Sequence, residues 1–90
     1  MAEKIYSYDI WQGKRIEYRI LKYGLDGAYQ IQYRDPDSYF HTWAWLKYID
    51  IYVSMPCKAA SCHEAFAIID SDVRYRRSKA IGWVPVSCDE

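Results

Sequence analysis

The chain has 90 residues, with twelve Lys and Arg against twelve Asp and Glu, 51% apolar side chains, and ten Tyr, four Trp and two Phe. That length bounds a single domain that buries about 60–65% of its unfolded surface, a core too small to hold every ring, so some aromatic side chains reach the surface. Zero net charge argues against general, phosphate-driven nucleic-acid binding, and three cysteines at no framework spacing argue against a secreted disulfide fold.

The first residues, MAEKIYSYD, contain no apolar signal region, and no run in the sequence is long enough to span a bilayer. A cytoplasmic protein in a reducing compartment, without a membrane partner, is expected. Lys4 to Trp11 alternates loosely, and Gln12-Gly13-Lys14 reads as a tight turn. Arg15 to Tyr23 alternates more strictly: Ile16, Tyr18 and Ile20 face one way, and Arg15, Glu17 and Arg19 the other, as in a half-buried antiparallel strand. Gly24-Leu25-Asp26-Gly27 supplies a turn. Ala28 to Tyr33 then places Tyr29, Ile31 and Tyr33 inward and Gln30 and Gln32 outward.

Asp35-Pro36-Asp37-Ser38 is the strongest turn signal, because proline presets φ and Asp side chains bond nearby backbone. Tyr39 to Leu46 reads as a strand with Tyr39, His41, Trp43 and Trp45 on one face and Phe40, Thr42, Ala44 and Leu46 on the other. Lys47 to Ser54, with Ile49, Ile51 and Val53 at period two, either extends it past a bend or forms a separate short strand.

Ser61 to Lys79 reads as a helix. Ser61 and Glu64 form a capping box, and Cys62, Ala65, Phe66, Ile69 and Val73 make an apolar stripe that Ile68 widens. Glu64 near the start and Arg74, Arg76, Arg77 and Lys79 near the end match the macrodipole. Gly82 lies past the end, and Ala80 to Val86 reads as a final strand at a sheet edge, where Pro85 is tolerated. The expected fold is α+β: an antiparallel four- to five-stranded meander, one amphipathic helix packed on one face, and a C-terminal strand.

Chemistry has few candidates. Cys57, Cys62, His63 and Cys88 are metal-ligand types, but adjacent Cys62 and His63 on a helix point about 100° apart, and the expectation is ordinary thiols with Cys62 facing the core and no metal or cofactor. A catalytic thiol at Cys62 lacks a Gly-rich elbow and a second histidine other than His41, so no enzyme is expected. Asp35/Asp37 fit turn chemistry, and Asp70/Asp72 fit a solvated helix face.

Two surfaces remain. Residues 35–72 carry six acids against two lysines, and Arg74, Arg76, Arg77 and Lys79 with Tyr75 between them follow directly. Tyr, Trp and Arg are the types enriched in interface hot spots. Arg74, Tyr75, Arg76, Arg77, Lys79, Tyr39, Trp43 and Trp45 are therefore the candidate binding residues. Small size, no catalytic constellation, mixed acidic and basic patches and many rings make the chain similar in kind, without a shared motif, to small phage or mobile-element proteins that inhibit host machinery, anti-CRISPR inhibitors among them. What this implies is a non-enzymatic protein-binding module that occludes a larger protein or protein–nucleic-acid complex. The alternative is a single-strand nucleic-acid binder that stacks bases on the sheet aromatics beside the Arg74–Lys79 patch. Exposed rings and a short edge strand are also compatible with a homodimer.

Overall fold

Gln12 and Gly13 both take positive φ, 47° and 83°, which is the geometry of a two-residue hairpin turn whose twist matches its strands. They join β1 (Tyr6–Trp11) to β2 (Lys14–Lys22) in the computed structural model, which describes residues 3–40, 42–49 and 54–88. Register runs from Tyr6↔Tyr18 to Asp9↔Arg15 and slips before Trp11↔Lys14, leaving Ile10 as the extra residue of a bulge. A second antiparallel pairing, Glu17↔Arg34 to Lys22↔Tyr29, joins β2 to β3 (Tyr29–Arg34). The turn between them closes with the Gly27 amide donating to the Tyr23 carbonyl at 3.0 Å. A Cβ on Gly27 would sit 2.1 Å from that oxygen, so only glycine fits there.

After β3 the Asp35 turn forms as its residues predict. The Ser38 amide donates to the Asp35 carbonyl, and the Asp37 amide donates to Asp35 Oδ1. The long strand expected over Tyr39–Leu46 does not form. Residues 38–40 bend, His41 lies outside the described residues, and only β4 (Ala44–Trp45) pairs with β3. In the Tyr33↔Ala44 register the residues before Trp43 run past Arg34, where β3 ends, and two apolar faces do not replace a hydrogen-bonding partner.

The fourth lane of the sheet is then interrupted. The Leu46 amide donates to the Ile31 carbonyl, and the Cys57 amide donates to the Leu46 carbonyl. Between these residues β5 (Lys47–Ile49) pairs with β6 (Ser54–Pro56) as a separate two-stranded arm. The Ile51 and Val53 positions of the expected strand lie outside the described residues. β7 (Lys58–Ala59) returns to β3 opposite Gln30 and Tyr29. The sheet order is β1-β2-β3, with β4 and β7 sharing the outer side of β3.

The helix α1 (Cys62–Ile81) packs across one face. Ser61 Oγ accepts the Glu64 amide at 3.2 Å, and the Glu64 carboxylate reaches back to the Ala60 amide at 2.7 Å, one residue before the position a capping box requires. Ala65, Ile69 and Val73 are buried against Ile16, Tyr18, Ile31, Leu46 and Ala59, with Phe66 and Ile68 partly buried beside them. Tyr6 meets Phe66 edge-to-face at 4.9 Å, and Tyr8 meets Tyr18 at 5.7 Å. Cys62, expected in the core, is exposed instead, one turn ahead of the buried stripe.

The helix ends at Gly82, whose positive φ of 78° closes it through a bond from its amide to the Ser78 carbonyl. The C-terminal strand expected over Ala80–Val86 is absent. Ala80 and Ile81 belong to the helix, and residues 82–88 pair with no strand. The fold is thus the expected α+β sheet and helix without that final strand. Among the described residues no helix is long and apolar enough to cross a membrane.

Candidate binding surfaces

The candidate basic residues occupy the last two turns of α1, and the helix divides them. Arg74, Tyr75, Arg77 and Lys79 are exposed, whereas Arg76 turns toward the sheet. Four residues before it on the same helical row stands Asp72, and Arg76 Nε donates to Asp72 Oδ2 at 2.7 Å. The buried Tyr18 hydroxyl donates to the same carboxylate oxygen. The Arg76 guanidinium lies 4.6 Å from the Tyr33 ring centroid.

This network perturbs its members. Burial, then the Asp72 carboxylate, pushes the Tyr18 hydroxyl well above the ordinary tyrosine range. Burial works against the charge on Arg76, but the bonds and charge of Asp72 and Tyr18 more than reverse it and raise the guanidinium's pKa. Asp72 is therefore a hub of the helix–sheet interface and not part of a solvated face, and Arg76 serves the fold. The exposed remainder is a cationic-aromatic surface: Lys79 Nζ lies 6.0 Å from the Tyr75 ring, and Arg77 Nε donates to the Asp9 carbonyl of β1 at 3.0 Å.

Past Gly82 the surface changes character. Trp83 is 103% exposed, and Val84 and Val86 are exposed with it. A run of apolar side chains held in water follows directly from the cationic helix end.

The sheet aromatics are elsewhere. Arg15, Glu17, Arg19, Gln32 and Arg34 project from the face opposite α1. Trp45 stands opposite Gln32 and so shares that side. The Arg19 and Arg34 guanidiniums each lie 4.4 Å from the Trp43 ring. Arg34 Nε donates to Glu17 at 2.9 Å, Arg19 Nε donates to the buried Gln32 amide oxygen at 2.7 Å, and Arg19 also pairs with Glu3. Trp43 is thus engaged by its own chain. Tyr39 lies at the bend, 89% exposed, with its ring edge-to-face against Phe40 at 5.0 Å. The sheet separates Trp43 and Trp45 from Arg74, Tyr75, Arg77 and Lys79, and the two groups do not form one site.

Among the described residues no three His, Cys, Asp or Glu side chains come together as metal ligands. Cys57 is half-buried, and burial, then Asp72, pushes its thiol up, away from the thiolate a nucleophile needs. Sequence reading missed the Tyr18–Asp72–Arg76 network, although the Asp72/Arg76 spacing was a readable signal for its helical half. Compared with known protein families, curated proteins and solved structures, the chain matches none.

Proposed function

We propose that this chain is a non-enzymatic protein-binding module that acts by occluding a surface of a larger protein. The observation that carries the reading is the exposed apolar run Trp83, Val84 and Val86, which follows in the chain directly after the helix end that carries the exposed Arg74, Tyr75 and Lys79. Burying those three apolar side chains on a partner is favourable by several kcal/mol, at about 25 cal/mol per Å². Pro85 fixes one backbone angle in advance, which lowers the ordering cost of docking. Trp, Tyr and Arg at the centre with polar groups around them is the composition of a hot spot.

Occlusion needs area and complementarity, not a reactive group. The same surface therefore serves an inhibitor of a host defence complex, the role implied by the likeness in kind to small phage and mobile-element inhibitors.

The test is capture from host lysate with three proteins: the wild type, Trp83→Ser with Val86→Ser, and Arg74→Glu with Lys79→Glu. The wild type is expected to retain a defined protein that both variants lose while their circular dichroism is unchanged. Arg76 is left intact because it pairs with Asp72 and lies over the Tyr33 ring of β3, and so serves the fold. Equal capture by the variants overturns the reading. So does retention of nucleic acid alone, with tryptophan fluorescence quenched by oligonucleotides and restored by salt.

A further inference from the structure

A cleft of about 270 Å³ opens between the last turns of α1 and the β1–β2 hairpin. Its apolar wall comes from Ile10, Ile16 and Tyr33, with Ile10 on the face of β1 that also carries Tyr8. Lys14 of the hairpin and Lys79 of the helix stand on its rim, both exposed, and Arg76 also lines it, whereas the Arg15 guanidinium is turned to the opposite face of the sheet.

Of these three cations Arg76 is engaged, paired with Asp72. Lys14 and Lys79 make no ion pair among the described residues. Asp35, the single carboxylate among the described lining residues, already accepts the Asp37 amide within its own turn. The cleft therefore combines an apolar interior with a surplus of positive charge at its mouth.

From this we infer that the cleft receives an apolar or aromatic side chain from an acidic segment of the protein partner. The inference rests on the binding-module reading above and names the chemistry of the partner.

Size and charge select this occupant. Sites that enclose a whole small molecule run to about 300–1,000 Å³, so this cleft is sized for an anchor side chain. Carboxylates flanking the anchor reach Lys14 and Lys79, which stay at the solvent-exposed rim where attraction costs little desolvation. A nucleic-acid strand fits poorly, because Tyr33, the one ring among the described lining residues, already has the Arg76 guanidinium stacked on it. The cleft also adjoins the proposed contact surface, since Lys79 belongs to both.

The probe is a labelled short peptide, Asp-Glu-Trp-Asp-Glu. Its controls are the same peptide with the acids changed to their amides, and the same peptide with Trp changed to Ser. Full-chain protein is titrated to millimolar peptide, with fluorescence anisotropy for affinity and amide chemical shifts for location. The acidic tryptophan peptide is expected to bind about ten-fold more tightly than either control. The shifts are expected to fall on Ile10–Ile16 and Arg76–Ala80. Lys14→Glu with Lys79→Glu is expected to weaken binding by at least the same factor.

Equal binding of the controls, shifts on the sheet face that carries Glu17 and Arg34, or unchanged affinity of the double variant overturns the cleft assignment. If the peptide fails while partner capture still depends on Trp83 and Val86, the cleft assignment alone is wrong. If capture is insensitive to the tail and helix-end variants, the module reading fails instead.

Discussion

Asp72 illustrates how one carboxylate ties a helix to a sheet. A helix row brings Arg76 to it, and the inward alternation of β2 brings Tyr18, so a charge on one layer is satisfied by donors from both. Tyr18→Phe removes one donor and leaves the ring packing in place. The expected loss is about 1.5–3 kcal/mol, the range for hydrogen bonds to charged groups. The pH dependence has a definite sign. Below the ordinary tyrosine value of 10.0, folded and unfolded chains both hold the Tyr18 proton, and its contribution is fully present. Above that value the unfolded chain releases the proton while the folded chain keeps it. Stability then falls as pH rises toward the raised folded value. Urea unfolding is expected to show a wide gap between wild type and Tyr18→Phe at neutral pH, narrowing above pH 10.0. A gap that stays constant or widens would mean that Tyr18 is not held protonated by this contact.

At the scale of elements, the broken fourth lane of the sheet is the most informative feature. Leu46 stands opposite Ile31, and Lys58 stands opposite Gln30, the adjacent residue on β3. The β5–β6 arm is thus inserted into a strand whose two halves remain aligned. Such an interruption leaves only two-residue edge strands on this side, which gives another chain little to pair with. Deleting residues 47–57 joins Leu46 to Lys58 and restores one uninterrupted strand opposite β3. The shortened protein is expected to keep its helical circular dichroism and a cooperative unfolding transition. Among the described residues of this stretch, the partly buried Cys57 packs on the core cluster from its edge, and the expected destabilisation is small. Loss of cooperativity would show that the arm is needed to hold β4 and β7 in register. Lys47–Ile49, the described start of the expected Lys47–Ser54 strand, is a strand, but side-chain alternation carries no information about which neighbour a strand pairs with.

Across the whole molecule, what was legible in the sequence is what depends on near neighbours. The Ser61 cap, the Ala65–Ile69–Val73 stripe, the Gln12-Gly13 and Asp35 turns, and the inward faces of β2 and β3 all follow from local spacing, and all formed. Of the candidate contact residues, Arg76 went inward because its partners Tyr18 and Tyr33 come from distant strands, and Trp43 was taken up by Arg19 and Arg34 in the same way. The tail was misread for a related reason. Ile81, Trp83, Val84 and Val86 have strand composition, but no sheet edge meets them, and propensity alone supplies no hydrogen-bond partners.

An exposed apolar tail separates folding from binding in a measurable way. An apolar side chain that is exposed in the folded state gains little on folding, so Trp83→Ser with Val86→Ser is expected to change unfolding free energy by no more than about 0.5 kcal/mol. The same loss of apolar surface inside the helix–sheet core behaves oppositely: Ile69→Ala, at a fully buried position, is expected to cost about 2–5 kcal/mol. Chemical denaturation of the three proteins checks both values. A tail variant as unstable as Ile69→Ala would mean that the run packs on its own chain, and the surface offered to a partner would have to be sought elsewhere. A tail variant as stable as wild type leaves Trp83 and Val86 with no role in folding, and their apolar area is then available in full to whatever they dock against.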